Sequence, residues 1–183
     1  VAAASMAAGD WLNFSASSGT TGLLNFSNPN VASNSGVREA YASRFVWDEA
    51  GGKMYYYGGD HQDNGHFFEY NLATNAWSIN HDPAWADIGG GATARHGYDS
   101  NVWTGDTFYA RRFGTMDIER WDGGTTWTAI SSSSVTDYTA GAPGLAWNPE
   151  LGQIMLHQVD SGTRGLLVGY TPGGGWTPHI SDA

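Results

Sequence analysis

Residues 60–66, "DHQDNGH", bring two Asp, two His and an Asn into one short stretch. Asp60, His61, Asp63, Asn64 and His66 carry the oxygen and nitrogen donors that bind zinc or calcium. The stretch lacks the alternating D-x-[DN]-x-[DN]-G spacing of a calcium loop, and nothing else in the chain repeats it. Asp and Asn also shape turns through their own side chains. The first reading is therefore a polar turn, the second a loop that touches a ligand, and the third a metal site. No cofactor is expected.

Three further residues have chemistry to offer. Arg95 and His96, in "ATARHGY", stand at the start of an expected inner strand. There they read first as a hydrogen-bonded pair lining a channel and second as ligand contacts. Trp85, in "HDPAWADIG", is an aromatic in a long connection. Exposed, it would stack on a sugar ring; buried, it would fill the space beneath its own loop.

Such residues need elements to position them, and composition says which kind. Of the 183 residues, 40% are hydrophobic and 14% aromatic, with nine Trp, nine Tyr and 26 Gly. Aromatic and β-branched residues interrupted by Gly and polar turns suit many short strands. Only 14% of residues are charged and the net charge is −10, so a phosphate backbone would be repelled and nucleic acid is not an expected partner. Lys53 is the single Lys. No apolar run reaches the roughly 18 residues of a membrane span. The start, "VAAASMAAGDW", reads as a processed precursor or a chosen chain start, being too short and uncharged for a signal peptide. With no Cys, disulfides, thiolate metal ligands and thiol nucleophiles are all excluded.

The Trp positions reveal a repeat. Trp77, Trp127 and Trp176 lie 50 and 49 residues apart, preceded by Tyr70, Trp121 and Tyr170. The segments "EYNLATNAW", "RWDGGTTW" and "GYTPGGGW" each read as an aromatic strand end, a polar turn and a Trp opening the next strand. A second set, Trp47, Trp103 and Trp147, ends a short apolar strand in each unit. Each unit thus predicts four strands: "SRFVW", "KMYYY", "HFFEY" and "AWSI"; "SNVW", "TFYA", "DIERW" and "TWTAI"; "GLAW", "QIMLH", "GLLVGY" and "GWTPHI".

A four-stranded unit of about 50 residues with Gly58-Gly59 after its second strand, then Tyr70 and Trp77, resembles a blade of the kelch-repeat β-propeller family. The later units depart from that pattern: the diglycine becomes "RRFG" in the second and is lost in the third, "HQVDSG". The resemblance implies an all-β fold of four-stranded antiparallel blades, over 37–82, 95–131 and 142–181, and no particular activity. "DGGTTW", Asp122 to Trp127, also fits the Asp-box turn of sialidase-like propellers. That resemblance implies a turn between the third and fourth strands, away from substrate. A galactose-oxidase-like copper cofactor needs a Tyr joined to Cys, which this chain lacks.

Three blades do not close a ring. "GDWLNFS", residues 9–15 within an N-terminal segment 1–36, resembles a fourth strand without its blade, as in propellers latched by an N-terminal strand. Further blades from a longer chain or from other subunits are the expected remedy. In a four-stranded blade the 2–3 and 4–1 connections share one end, and here the 4–1 connections are long. "DHQDNGH", Trp85, Arg95 and His96 all fall in these connections. The expectation is a non-catalytic recognition or structural module that binds a glycan or protein at that end, in an extracellular or virion-surface setting. The competing class is a sialidase- or glycosidase-like enzyme.

Overall fold

The computed structural model of the chain describes residues 45–58, 66–79, 100–111, 118–130, 144–159 and 165–181. These form three four-stranded sheets, each an antiparallel meander. The first sheet holds β1 (Val46–Asp48), β2 (Lys53–Gly58), β3 (His66–Asn71) and β4 (Ala76–Ile79). The second holds β5 (Asn101–Trp103), β6 (Phe108–Arg111), β7 (Ile118–Trp121) and β8 (Trp127–Ile130). The third holds β9 (Gly144–Asn148), β10 (Gln153–Val159), β11 (Gly165–Tyr170) and β12 (Trp176–Ser181). Among the described residues there is no helix. All twelve strands fall where the spacing predicts them; β1 is described from Val46 onward, and Ser43 and Arg44 lie outside the described residues.

The register makes the three sheets equivalent residue by residue. Trp47 pairs with Met54, Trp103 with Phe108 and Trp147 with Ile154. Tyr70 pairs with Trp77, Trp121 with Trp127 and Tyr170 with Trp176. In each sheet the two Trp sets share one face, because strand side chains alternate and paired residues point the same way.

That shared face packs on the preceding sheet. Trp121, Phe108, Ala110, Trp103 and Trp127 of the second sheet meet Val46, Tyr55, Tyr57 and Phe67 of the first. Leu145, Ile154, Leu156, Val168, Tyr170, Trp147 and Trp176 of the third meet Val102, Tyr109, Ile118 and Ile130 of the second. The innermost strands β1, β5 and β9 are neighbours in that order. The sheets therefore stack like blades, and only the second has both faces covered by described sheets. Its β6 is buried at every position.

The stacking is mainly aromatic. Phe67 lies 4.6 Å from Phe108, 4.9 Å from Trp121 and 5.1 Å from Trp127 between ring centroids, mostly edge to face. Within the signature pairs burial is unequal. Tyr70, Trp121 and Tyr170 are buried, whereas Trp77, Trp127 and Trp176 are half-buried. The difference follows from position, since the second member of each pair opens the outermost strand.

Tight turns join β1 to β2 and β3 to β4, and their equivalents in the other sheets. The residue after each inner Trp closes the first of these. Asp48 Oδ1 accepts from the Gly51 amide at 2.9 Å, and Asn148 Oδ1 from the Glu150 and Leu151 amides at 3.0 and 3.1 Å. Thr104 Oγ1 donates within its own turn, to Asp106 Oδ1 at 3.2 Å. Gly52 and Gly152 take φ of 60° and 61° there, a left-handed conformation that suits glycine.

Candidate functional site: the loop end of the sheets

The tight turns all lie at one end of the sheets, and the longer connections all leave from the other. The last rungs before them are Gly58 with His66, Arg111 with Ile118, and Val159 with Gly165. Beyond these rungs run segments 59–65, 112–117 and 160–164, joined at the same end by 80–99 and 131–143. Alternation of strand direction dictates this: in a meander, the 2–3 and 4–1 connections must share an end.

Most of the predicted site residues fall in those segments. Asp60, His61, Asp63, Asn64, Trp85, Arg95 and His96 lie outside the described residues, as does Gly59 of the diglycine. His66 is placed by its backbone as the first residue of β3, opposite Gly58. Among the described residues no group of three or more His, Cys, Asp or Glu is gathered as a metal site would need. The structural signature fares differently, with Tyr70, Trp77, Trp121, Trp127, Tyr170 and Trp176 in the three equivalent pairings above. The "DGGTTW" turn joins β7 to β8, with Gly123 at φ 85°. It lies at the tight-turn end, and Trp121 Nε1 donates to the Gly124 carbonyl across it at 2.7 Å.

Sequence reasoning missed a polar group at the loop end of the second sheet. Ser100, Asn101 and Arg111 are 1%, 0% and 0% exposed. The Arg111 amide donates to the Ser100 carbonyl at 2.8 Å, extending the β5–β6 ladder by one rung. Arg111 occupies the position of Tyr57 in the first sheet and His157 in the third. A guanidinium stays protonated even when buried, so it fixes a positive charge close to the rim of an acidic protein. No signal in "TFYARRFG" separates it from an ordinary charged strand end; like Tyr57, it lies on the face that the next sheet covers, whereas His157 has no described sheet after it and is exposed.

The tight-turn end is polar in a repeated way. Lys53 Nζ lies 3.0 Å from Glu69 Oε1, and Arg120 Nε 2.9 Å from Asp122 Oδ1. In the third sheet Gln153 Nε2 donates to Thr171 Oγ1 at 3.2 Å, and His179 Nε2 donates to Gln153 Oε1 at 2.8 Å. That last bond crosses over β11 at Gly169, where an added Cβ would collide with Gln153 and His179. These groups form a polar margin along the stacked faces.

A comparison with protein-family models finds no match, and one with curated proteins finds none either. Among the described residues no helix is long and apolar enough to cross a membrane.

Proposed function

We propose that this chain is a portion of a kelch-like β-propeller that acts as a non-catalytic recognition or structural module. It binds a glycan or a protein through the loop end, in an extracellular or virion-surface setting, and further blades complete the ring. The observation that carries the reading is the segregation of connections. Every described turn at one end is tight, whereas the segments holding Asp60, His61, Asp63, Asn64, Trp85, Arg95 and His96 all leave from the other. Variable connections on a rigid sheet scaffold are the usual place for a binding surface. A Trp, amides and Arg in those segments suit stacking on sugar rings and hydrogen bonding to hydroxyls.

A glycan array probed with the 183-residue chain, run beside a glycoside-hydrolysis screen, tests the reading. Selective retention of glycans without turnover is expected, and Trp85→Ala and Asp60→Ala should weaken it without moving the melting temperature. Turnover on the screen would transfer the chain to the glycan-active enzymes. A blank array would leave a protein partner or a purely structural role.

A further inference from the structure

The stacking rule of the three sheets leaves one position without its counterpart. Trp103 of the second sheet stacks on Tyr55 of the first, with ring centroids 5.6 Å apart. Trp147 of the third packs against the cluster holding Val102 and Tyr109 of the second. Trp47 occupies the same register position in the first sheet, on the same face, and is 46% exposed. Phe45, two residues earlier and so on that face too, is 44% exposed.

The opposite face of the third sheet is the other half of this contact. Tyr55 pairs with Val46 and with Glu69, Tyr109 with Val102 and Arg120, and Met155 with Ala146 and Gly169. Met155 thus stands where Tyr55 receives Trp103. Ala146 and Leu167 stand where Val46 with Phe67, and Val102 with Ile118, complete the receiving surfaces. Met155 and Leu167 are half-buried, and Ala146 and His157 beside them are exposed. The margin matches as well: the Gln153–His179 bond takes the place of the Lys53–Glu69 ion pair.

We propose that a second copy of this chain supplies the missing neighbour, seating its third sheet on the first sheet of its partner so that Trp47 packs on Met155 of the second copy. A thioether against an indole is a favourable and adaptable contact. Both halves of the interface are on one chain, so the association is head to tail. It ends when the contact is made twice. Two copies then provide six sheets, within the roughly four to eight blades of closed propellers. The inference rests on the propeller reading and goes beyond it in naming the partner and the faces.

Light scattering during size exclusion tests it. The chain is expected at twice 19.6 kDa. Trp47→Arg and Met155→Glu should each run as monomers, with cooperative unfolding retained because both positions are partly open. Mixing the two variants should restore the pair, since one contact is then native and the other sets Arg against Glu. Ala146→Arg, at an exposed position, replaces Met155→Glu if that variant fails to fold. A wild-type monomer, or variants that stay paired, would overturn the proposal. A monomer that still retains glycans on the array removes the pairing alone, whereas a dimer with a blank array removes the glycan reading alone.

Discussion

The indole of Trp103 lies face to face with the phenol ring of Tyr55, centroids 5.6 Å apart and planes 23° apart, and so ties the second sheet to the first. Tyr55 is at the same time stacked on Phe67 at 5.5 Å and met edge-on by Trp121 at 5.3 Å. One ring therefore gathers contacts from β3, β5 and β7. A single meander of this size has no second layer to cover its apolar residues, and the stack of sheets provides one.

Trp127 packs on Phe67 across the same junction at 5.1 Å and on Phe108 of its own sheet at 5.9 Å. Trp127→Ala should cost about 3–5 kcal/mol, the range for removing a large aromatic from a core. Trp77 meets Tyr70 at 5.1 Å and Phe45 at 6.3 Å on the first sheet's outer face. Trp77→Ala should fall at the low end of that range. Chemical denaturation with far-ultraviolet detection measures both; unchanged midpoints would remove these rings from the core.

Asn75 closes the β3–β4 turn at φ 51° and accepts a hydrogen bond from the Tyr70 hydroxyl at 2.7 Å. Its two roles are separable. Asn75→Gly loses the hydrogen bond but suits the left-handed backbone, and should cost about 1 kcal/mol. Asn75→Ala also adds backbone strain of about 1–2 kcal/mol and should melt lower still. Equal melting of the two variants would show that the turn relaxes out of the left-handed region.

Tyr109 sets a pH limit. Burial pushes its phenol up to about 12, and the neighbouring Tyr170 adds to the shift. Burial raises Tyr55 too, with the Glu69 and Asp48 carboxylates reinforcing it. An unfolded tyrosine ionises near pH 10, so above about pH 10 the unfolded chain sheds protons that the folded chain keeps. The tyrosines' contribution is complete below about pH 10 and is lost as pH climbs toward the folded values. Melting temperature should hold to about pH 9 and fall steeply between about 10 and 12, and less steeply in Tyr109→Phe. Parallel curves for the two proteins would count against the burial of this phenol as the cause.

The fold was legible because its core is a periodic aromatic pattern. Trp47, Trp103 and Trp147 recur with Trp77, Trp127 and Trp176, and the spacing between the two sets leaves room only for short strands. The residues that close the inner turns share one place as well, since Asp48, Thr104 and Asn148 each follow a repeat Trp directly. Arg111 was not legible. Its burial depends on a following sheet covering its face, as one covers Tyr57, and no local pattern carries that. The residues of "DHQDNGH" resist reading for the opposite reason: a connection outside the repeat is free to vary, so periodicity says where it leaves the sheet and not what it grips.

The covering of the second sheet on both faces has a consequence for how the molecule opens. Phe108 and Ala110 face the first sheet, Tyr109 the third, and β6 as a whole has no solvent side. Freeing its amides requires both junctions to part, whereas β1 or β12 can be released by one end of the stack alone. In Trp47→Arg, which should run as a single copy with both end faces open, native-state hydrogen exchange should find the β6 amides the slowest among the described strands, with protection declining toward both outer sheets. The middle unit thus acts as the clamp of the stack, and the free energy to release it is the sum of two neighbouring contacts rather than a property of its own sequence.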